Sequence, residues 1–372
     1  MSNTQKKNVP ELRFPEFEGE WEEKQLGNII KVNSGKDYKH LDKGDIPVYG
    51  TGGYMTSVSE PLSEIDAVGI GRKGTINKPY LLEAPFWTVD TLFYCTPKKE
   101  TDILFILSLF RKINWKVYDE STGVPSLSKQ TINKTNRFVP TNKEQQKIGK
   151  FFSKLDRQIE LEEQKLELLQ QQKKGYMQKI FSQELRFKDE NGNDYPDWTN
   201  ERLGEVTTVT MGQSPKSVNY TDNSNDTVLI QGNADIENGL INPRIYTREV
   251  TKLIQKDEII LTVRAPVGKL AMAQINACIG RGVCSIKGDK FLYYFLEWFA
   301  TQNKWIRFSQ GSTFESISGN DIRNIHIKIP VEDERTKIIK LLNSLDVLNS
   351  KTDLKIQNLK QRKQSLLQKI FV

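Results

Sequence analysis

The sequence predicts an α/β (α+β) fold that is built twice, with two globular domains of strands and short helices, each followed by one long helix. Three observations support this prediction. Residues 144–181 align without a gap on residues 334–371, at an offset of 190 positions (334 − 144). Both copies carry apolar residues at the 3.5-residue spacing of a coiled coil. Upstream of each copy, short β-type runs alternate with glycine-rich turns. A period of this size indicates a duplicated architecture.

The duplication extends beyond the helices. Glu11-Leu12-Arg13-Phe14 returns as Glu184-Leu185-Arg186-Phe187, and Trp21 returns as Trp198. The repeat therefore covers roughly residues 11–181 and 184–371. Within the helical copies, the identical pairs include Glu144/Glu334, Leu155/Leu345, Asp156/Asp346, Lys173/Lys363 and the shared ending Gln-Lys-Ile-Phe.

Each helical copy predicts one half of an antiparallel coiled coil. At 1.5 Å per residue, each helix would be about 57 Å long. Thr141 and Glu144 have the spacing of a capping box at the first helix start. The apolar seam is predicted at Ile148, Phe152, Leu155, Ile159, Leu166, Leu169, Tyr176, Ile180, Ile338, Leu342, Leu345, Ile356, Leu359, Leu366 and Ile370.

The globular part of each copy repeats one order of elements. Strand-like runs come first, then an aromatic-rich helix, then a Ser-x-Ser loop and a short strand that ends at a proline. In the first copy the runs are 46–50, 67–71 and 88–94, and the helix is 103–117. In the second copy the runs are 228–232 and 258–263, and the helix is 291–308.

The predicted domains are a first globule (1–140), a first spacer helix (141–183), a second globule (184–330) and a second spacer helix (331–372). Only Ser182 and Gln183 separate the first helix from the second globule. This short connector places the two globules at opposite ends of the first helix. The second helix must then run back antiparallel, which predicts a dumbbell with an approximate two-fold axis.

Composition favours a protein of the cytoplasm with an anionic partner. The formal net charge is +7 and the sequence pI is about 9.0, which suggests nucleic acid. Three cysteines without a CxxC spacing are typical of a reducing compartment. The polar N-terminus lacks the apolar segment of a signal peptide, and the apolar runs are too short to span a bilayer.

The sequence carries no recognisable active site. It has no Gly-x4-Gly-Lys-Ser/Thr phosphate loop, and its two histidines, His40 and His326, lie in different halves. They are too few for the usual metal sites or catalytic triads. We therefore expect a binding protein that is not an enzyme and that holds neither a metal nor a cofactor.

Duplex DNA is the ligand that best fits a basic, two-fold frame, since paired modules on one frame read two half-sites at a fixed spacing. A bar of about 57 Å corresponds to at most about 17 base pairs. Arg and Lys can pair with guanine edges or phosphates, and Asn and Gln can pair with adenine. The candidate DNA-binding residues of the first globule are Lys36, Tyr38, Lys39, Arg72, Lys73, Thr75, Asn77 and Lys78. Those of the second are Gln213, Ser214, Lys216, Tyr220, Gln231, Asn233, Arg264, Lys269 and Arg281.

The candidate loops differ between the copies, whereas the helices are alike. The segment 70–74 aligns with the segment 263–267, and the two segments have little sequence similarity. A common frame with two dissimilar sets of loops would recognise two different half-sites.

Taken together, these patterns resemble the specificity (S) subunit of Type I restriction–modification enzymes. The resemblance covers nearly the whole chain. It rests on Leu26-Gly27 and Leu203-Gly204 after a tryptophan, on the Ser-Leu-Ser and Ser-Ile-Ser loops, and on the strand exits at Pro140 and Pro330. It also rests on the helix starts at 144–148 and 334–338, where Arg335 departs from the commoner form.

The resemblance implies that the globules are target recognition domains, each reading one half of a bipartite DNA site. It implies that the helices form a spacer that docks methyltransferase (modification) subunits, two of them in our expectation. A restriction subunit can join that complex. S-adenosylmethionine, ATP and Mg would be held by those partner subunits and not by this chain.

Three alternatives remain open. The same type of subunit could serve a Type IIG-like or methyltransferase-only complex. The helices could form a protein–protein scaffold whose globules do not touch DNA. The chain could be an enzyme in its own right, which the missing motifs disfavour. The target sequence itself cannot be read from side chains, because indirect readout also contributes to specificity.

Overall fold

The computed structural model describes residues 8–305 and 316–372. The chain divides into two compact units, one formed by Met1–Gln164 with Thr352–Val372 and the other by Lys165–Lys351. Each unit holds one globule together with part of each long helix. Along the described ranges, we find no helix that combines the length and the apolar character needed to cross a bilayer.

In its described part, the first unit contains nine strands arranged in three sheets. They are β1 (Glu22–Gln25), β2 (Ile30–Ser34), β3 (Ile46–Gly50), β4 (Gly53–Val58), β5 (Ala67–Gly71), β6 (Tyr80–Leu82), β7 (Trp87–Thr88), β8 (Leu92–Pro97) and β9 (Asn136–Val139). A four-stranded antiparallel sheet has the order β2-β8-β5-β6, and a three-stranded sheet has the order β4-β3-β7. Strands β1 and β9 form a separate antiparallel pair.

The second unit repeats these sheets with additions. Its strands are β10 (Thr199–Arg202), β11 (Val209–Met211), β12 (Tyr220–Thr221), β13 (Thr227–Ile230), β14 (Ile236–Glu237), β15 (Leu240–Ile241), β16 (Tyr246–Thr247), β17 (Leu253–Ile254), β18 (Ile259–Thr262), β19 (Leu270–Met272), β20 (Ala277–Ile279), β21 (Val283–Ile286) and β22 (His326–Ile329). The order β11-β21-β18-β19 corresponds to β2-β8-β5-β6, and β10-β22 corresponds to β1-β9. A five-stranded sheet, β12-β16-β13-β20-β17, extends the counterpart of β4-β3-β7.

Short helices occupy matching places in both units. They are α1 (Leu26–Ile29), α2 (Ile103–Lys112), α3 (Lys129–Lys134), α5 (Leu203–Val206), α6 (Lys290–Thr301) and α7 (Gly319–Arg323). The repeated Ser-x-Ser loops are explained by capping. Ser128 accepts a hydrogen bond from the backbone of Thr131 at the start of α3, and Ser318 does the same from Asp321 at the start of α7.

The two long helices are α4 (Asn142–Phe181) and α8 (Glu332–Ile370). Every residue of the predicted seam is buried or half-buried. The seam does not serve helix pairing alone, however. Ile148 and Phe152 at one end of α4 belong to the apolar core of the first globule, and Ile180 at the other end belongs to the core of the second. The helix ends are therefore part of the globules.

In the first unit, α4 and α8 are antiparallel and share a polar contact in the seam. Lys355 pairs with Glu162, and further along α8 Lys363 pairs with Asp156, which lies earlier on α4. Arg111 of α2 also contacts Asp156. Burial lowers the pKa of Lys363, and nearby Arg111 lowers it further.

The second unit repeats this contact with residues that correspond by the repeat. Lys173 of α4 lies 2.7 Å from Asp346 of α8 and 2.7 Å from Glu297 of α6. The hydroxyl of Tyr294 donates to Asp346 over 2.7 Å. Burial raises the pKa of Glu297, and the charge of Lys173 acts against that rise. The seam thus holds one Lys–Asp pair in each unit, bound to Arg111 in one and to Glu297 in the other.

A buried carboxylate ties each globule to the start of its long helix. Glu144 accepts hydrogen bonds from Arg13 Nε (2.8 Å) and Nη2 (2.7 Å), and from Trp21 Nε1 (3.3 Å). This geometry corrects the predicted capping box with Thr141. The Glu144 side chain points into the globule, because a guanidinium 131 positions earlier in the chain binds it more strongly than a backbone amide would.

Two predicted helices end earlier than the sequence suggested. Helix α2 ends at Lys112, and a 3₁₀ turn covers Trp115–Tyr118. Ile113 and Trp115 are both buried beyond the helix end, and the indole Nε1 of Trp115 donates a 2.8 Å hydrogen bond to the carbonyl of Phe110. Helix α6 ends at Thr301, and the predicted end at 308 lies outside the described residues.

The run 88–94 proved to be two strands in two different sheets. β7 ends at Thr88, where it pairs in parallel with β3, and β8 begins at Leu92 in the four-stranded sheet. The backbone N–H of Leu92 donates to the carbonyl of Val89 across the turn between them. This turn brings the two sheets together at the edge described next.

Candidate nucleic-acid interface

We use the term loop edge for the edge of each globule where the first strand of the four-stranded sheet ends. In the first globule, β2 ends next to Gly35, where a Cβ atom would lie 2.0 Å from the carbonyl oxygen of Val89. Only glycine fits so close an approach. The next residue, Lys36, is held by a 2.8 Å hydrogen bond from its backbone N–H to Thr88. Its side chain is exposed.

The second globule builds the same corner with a different side chain. A Cβ atom on Gly212 would lie 2.1 Å from the carbonyl oxygen of Gly280. The backbone N–H of Gln213 donates to Ile279 over 2.9 Å. Gln213 therefore occupies the position that Lys36 has in the first globule, and its side chain is also exposed. An amide replaces an ammonium on an otherwise equivalent backbone.

A second equivalent pair follows the central strands β5 and β18. Lys73 forms an isolated antiparallel bridge with Ser126, and Arg264 forms the same bridge with Ser316. Both cations are exposed. Both lie beside the repeated Ser-x-Ser loop, so the two globules share an exposed cation at this equivalent position.

These bridges correct the predicted alignment of the segment 70–74 with the segment 263–267. The backbone N–H of Leu127 donates to the carbonyl of Arg72, and that of Ile317 donates to Val263. Arg72 therefore corresponds to the buried Val263 and not to residue 265. The register differs by two positions, because short dissimilar loops offer no identities to align, whereas strand pairing fixes the register.

The remaining candidates of the first globule lie in the loops that continue from this edge. The backbone N–H of Arg72 donates to Thr91, and its Nη1 donates to the carbonyl of Asp90. Tyr38 packs against a small apolar cluster around Trp87 and is half-buried. Its ring supports the loop that carries Lys39. The exposed candidates are Lys36, Lys39, Arg72, Lys73, Asn77 and Lys78, and the half-buried ones are Tyr38 and Thr75.

Several candidates of the second globule hold the loops in place. The ammonium of Lys269 donates to the carbonyls of Asn233 (3.1 Å) and Ile236 (2.5 Å). The hydroxyl of Ser214 accepts from the backbone of Arg281. The exposed candidates are Gln213, Lys216, Arg264 and Arg281, and the half-buried ones are Ser214, Tyr220, Gln231, Asn233 and Lys269.

Two carboxylates, Asp119 and Glu249, fix the loops that carry cations through hydrogen bonds from backbone amides and neutral side chains. Hydrogen bonds from the backbone of Ser126 and from Ser121 lower the pKa of Asp119. In the second globule, hydrogen bonds from the backbone of Lys216 and from the side chain of Asn219 lower the pKa of Glu249. Both acids stay ionised and fix the backbone beside the exposed cations.

One part of this interface was not predicted from the sequence. Ser128 and Lys129 line a shallow groove together with Arg72 and Lys73. The Ser-x-Ser repeat was visible in the sequence, but its nearness to the loop after β5 was not. Lys129 adds a cation at the first turn of α3, where the second globule has Gly319.

The described residues contain no group of three or more His, Cys, Asp or Glu side chains that could hold a metal ion. The thiols of Cys95, Cys278 and Cys284 are buried. Burial raises the pKa of Cys284 to about 12, so this thiol stays protonated. The geometry offers cations and amides that can bind a nucleic acid.

Comparison with known proteins gives a consistent result. The family model of the Type I restriction modification DNA specificity domain matches residues 18–171 and again residues 195–361. Over 269 residues, the chain is 29% identical to a Methanocaldococcus jannaschii protein described as the type I restriction enzyme MjaX specificity subunit. That alignment covers 68% of this chain and 63% of the relative, which is less than two thirds of the relative's length. The type I restriction enzyme MjaVIII specificity subunit of the same organism is 25% identical over 312 residues, which is 77% of this chain and 71% of that protein.

Two solved structures share the fold. The S subunit of a Type I restriction–modification system from M. genitalium matches with a TM-score of 0.68 and 16% identity, over 98% of this chain and 99% of that chain. A chain from a structural study of complex assembly and conformational transition of the type I R-M system matches with a TM-score of 0.59 and 19% identity. It covers 94% of this chain and 97% of its own length.

Proposed function

The chain belongs to the family of Type I restriction-modification DNA specificity domains, and from this premise we propose that it is the subunit that gives such a complex its DNA target. Each globule reads one half of a bipartite site through its loop edge. The observation that carries this proposal is that different side chains occupy equivalent backbone positions in the two globules. Lys36 corresponds to Gln213, and Arg72 corresponds to Val263.

Unlike side chains at equivalent places are what a bipartite, asymmetric target requires. Lysine pairs with guanine edges or phosphates, whereas glutamine can pair with adenine. The cations at Lys73 and Arg264 are common to both globules, so they suit the phosphate contacts that every duplex offers. Specificity would then come from the differing residues, and affinity from the shared ones.

We propose that catalysis takes place on partner subunits in the cytoplasm. Two methyltransferase subunits would dock on α4 and α8, where they would bind S-adenosylmethionine and methylate adenine. A restriction subunit would join them and use ATP and Mg. The family relationship supports this arrangement. A complex without the restriction subunit, which only methylates, is the second form that these residues could serve.

Methylation mapping tests the proposal. The chain is expressed with a modification subunit encoded in the same genome, in a host that lacks other adenine methylation, and the host DNA is sequenced for N6-methyladenine. We expect one bipartite motif with a fixed spacer. Replacing residues 29–139 with those of another family member should change one half of that motif and leave the other half unchanged. A stable complex that leaves the DNA unmethylated would favour the scaffold alternative.

A further inference from the structure

The hairpin of β3 and β4 presents apolar side chains at the loop edge of the first globule. Tyr54 is 63% exposed and Met55 is 53% exposed. The hairpin turns through Thr51 and Gly52, and Gly53 has a φ of 106°, which favours glycine. The hairpin tip is therefore narrow, and its two largest side chains are open to solvent.

Met55 lies beside Gly50, on the side that faces Val89. A Cβ atom on Gly50 would lie 2.7 Å from the sulfur of Met55 and 3.4 Å from Val89. The backbone N–H of Val89 donates to Tyr49 over 3.0 Å. The thioether therefore covers the backbone of Gly50 on the side of Val89.

Val89 and its neighbour Asp90 connect this tip to the basic loops. The carbonyl of Val89 is the atom that excludes a side chain at Gly35, which directly precedes Lys36. The carbonyl of Asp90 accepts a 3.3 Å hydrogen bond from Arg72. The segment Val89–Asp90 thus connects the apolar tip to the loops that carry Lys36 and Arg72, on a surface whose charge suits a nucleic acid.

The second globule has no equivalent of this tip in its described part. Ile230 is the counterpart of Tyr49, because each is the last residue of its strand that pairs with a parallel neighbour, β20 for Ile230 and β7 for Tyr49. The chain after Ile230 forms a 3₁₀ turn (Asn233–Asp235) and the short β14–β15 hairpin. That second hairpin exposes Leu240 (48%), but it is an insertion after the parallel strand, so the direct β3–β4 hairpin with Tyr54 and Met55 is particular to the first globule within the described residues.

We propose that Met55 reads the C5 methyl group of a thymine in the half-site of the first globule, an inference that rests on the proposed DNA-recognition function. The major groove admits a two-stranded β-ribbon, and the thymine methyl is the apolar group that bases present there. Methionine is flexible and polarizable, so it can close over a methyl group. Lys36 and Arg72, in the loops connected to this tip, would contact the phosphates beside the groove.

The experiment uses the complex with its modification subunit and duplexes that carry its mapped motif. Each thymine is replaced in turn by uracil, which removes the methyl group and keeps the pairing edge. For the wild type, one replacement in one half-site should weaken binding about fourfold, the value of one buried methyl group. Met55→Ala should bind the thymine and uracil duplexes equally, and Met55→Leu should keep part of the difference.

Ile65→Ala is the matched control. Ile65 is 60% exposed, but it precedes β5 and so lies at the opposite sheet edge from Arg72, which follows β5. This variant should keep the full preference for thymine. If the wild type tolerates uracil at every position, or if Met55→Ala keeps the preference, the inference is wrong while the proposed function stands. If the complex does not distinguish its motif from a scrambled duplex, the proposed function itself fails.

Discussion

At the scale of single residues, the most demanding positions are the buried carboxylates that bind an arginine and a tryptophan. Glu334 is fully buried and accepts hydrogen bonds from Arg186, Trp198 and the backbone of Phe187. Burial alone would raise the pKa of Glu334, but these donors outweigh it and hold the pKa below its usual value. A carboxylate in this environment stabilises the fold only while its partners are in place.

We predict that Glu334→Gln destabilises the second unit by about 3 kcal/mol at neutral pH, because it removes the buried charge partner of Arg186 and leaves this partly buried guanidinium with the exposed Asp197, 4.0 Å away. The pH dependence should change as well. A lowered folded pKa gives stability that is present above the unfolded carboxyl pKa and is lost as pH falls through the folded value. Urea unfolding from pH 7 down to pH 3 should therefore show a weaker acid dependence in the variant.

Glu332→Gln serves as the control for this prediction. Glu332 is in the same helical turn, its side chain is 77% exposed, and its contact with Arg335 is 3.6 Å. Exposed pairs of this kind contribute between 0 and about 1 kcal/mol. Equal losses from the two substitutions would show that the buried network does not stabilise the second unit.

Each member of this network could be identified in the sequence as a repeated residue, but the contacts among them could not be predicted. Arg186 and Glu334 are 148 positions apart, and a local pattern carries no information about such a contact. The spacing of Thr141 and Glu144 suggested a nearer partner, and that interpretation was wrong. Contacts made through tertiary structure override local capping preferences at buried positions.

At the scale of elements, α4 and α8 are held in register by polar residues in an apolar seam. A polar residue at a seam position fixes register at a cost in stability. Lys173 in the second unit contacts Glu297 and Asp346, whereas Asp156 in the first contacts Arg111 and Lys363. The Lys–Asp pair is thus common to both units. The short helix beside it adds a cation, Arg111, in the first unit and an anion, Glu297, in the second.

We predict that Lys173→Met lowers the free energy of unfolding of the second unit by about 3 kcal/mol. The substitution leaves Glu297 and Asp346 close together without their cation, and breaking a buried pair costs about 3 to 5 kcal/mol. The partial exposure of both acids, 33% and 36%, favours the lower end of that range. Equilibrium urea unfolding measures the effect.

The neighbouring Lys174→Met is the matched control, because Lys174 is exposed and should change the unfolding free energy by less than about 0.5 kcal/mol. Adding Glu297→Gln and Asp346→Asn to Lys173→Met should restore most of the loss, since neutral groups need no cation. A triple variant as unstable as Lys173→Met alone would mean that packing, and not charge, explains the loss.

The long helices were predictable because 38 residues of regular apolar spacing exceed any competing signal. The ends of the short helices were not. Helix α2 ends at Lys112, Ile113 and Trp115 are buried beyond it, and the indole of Trp115 donates to the carbonyl of Phe110 at the helix end. A helical run of aromatic residues does not show where tertiary packing will interrupt it.

At the scale of the whole molecule, duplication supplies two loop edges with the same backbone and different side chains. The repeat could be recognised in the sequence, first in the long helices and then in the globules that precede them. The register of the loops was not, because it depends on strand pairs such as β5–β8 and β18–β21. Only that register shows that Lys73 and Arg264 are equivalent cations, each beside its own Ser-x-Ser loop.

We predict that Lys73→Ala and Arg264→Ala each weaken specific DNA binding about tenfold (~1.4 kcal/mol). Each should also lower the slope of log affinity against log salt concentration by about 0.9, as expected for the loss of one phosphate contact. The two residues lie in different units and share no partner in the described structure. Their free-energy changes should therefore add, which gives about a hundredfold loss in the double variant.

Fluorescence anisotropy of the complex with its modification subunit, measured across a salt series, provides the test. Lys99→Ala is the control, since Lys99 is exposed beyond the far end of β8, at the sheet edge opposite Arg72. Methylation mapping adds a second readout. Both variants should methylate the same bipartite motif less efficiently, because phosphate contacts position the protein and carry no sequence information. A variant that methylates an altered motif would show that its cation contacts bases, and a Lys99→Ala variant that reduced the salt slope equally would show that the two loop edges are not the DNA-binding surfaces.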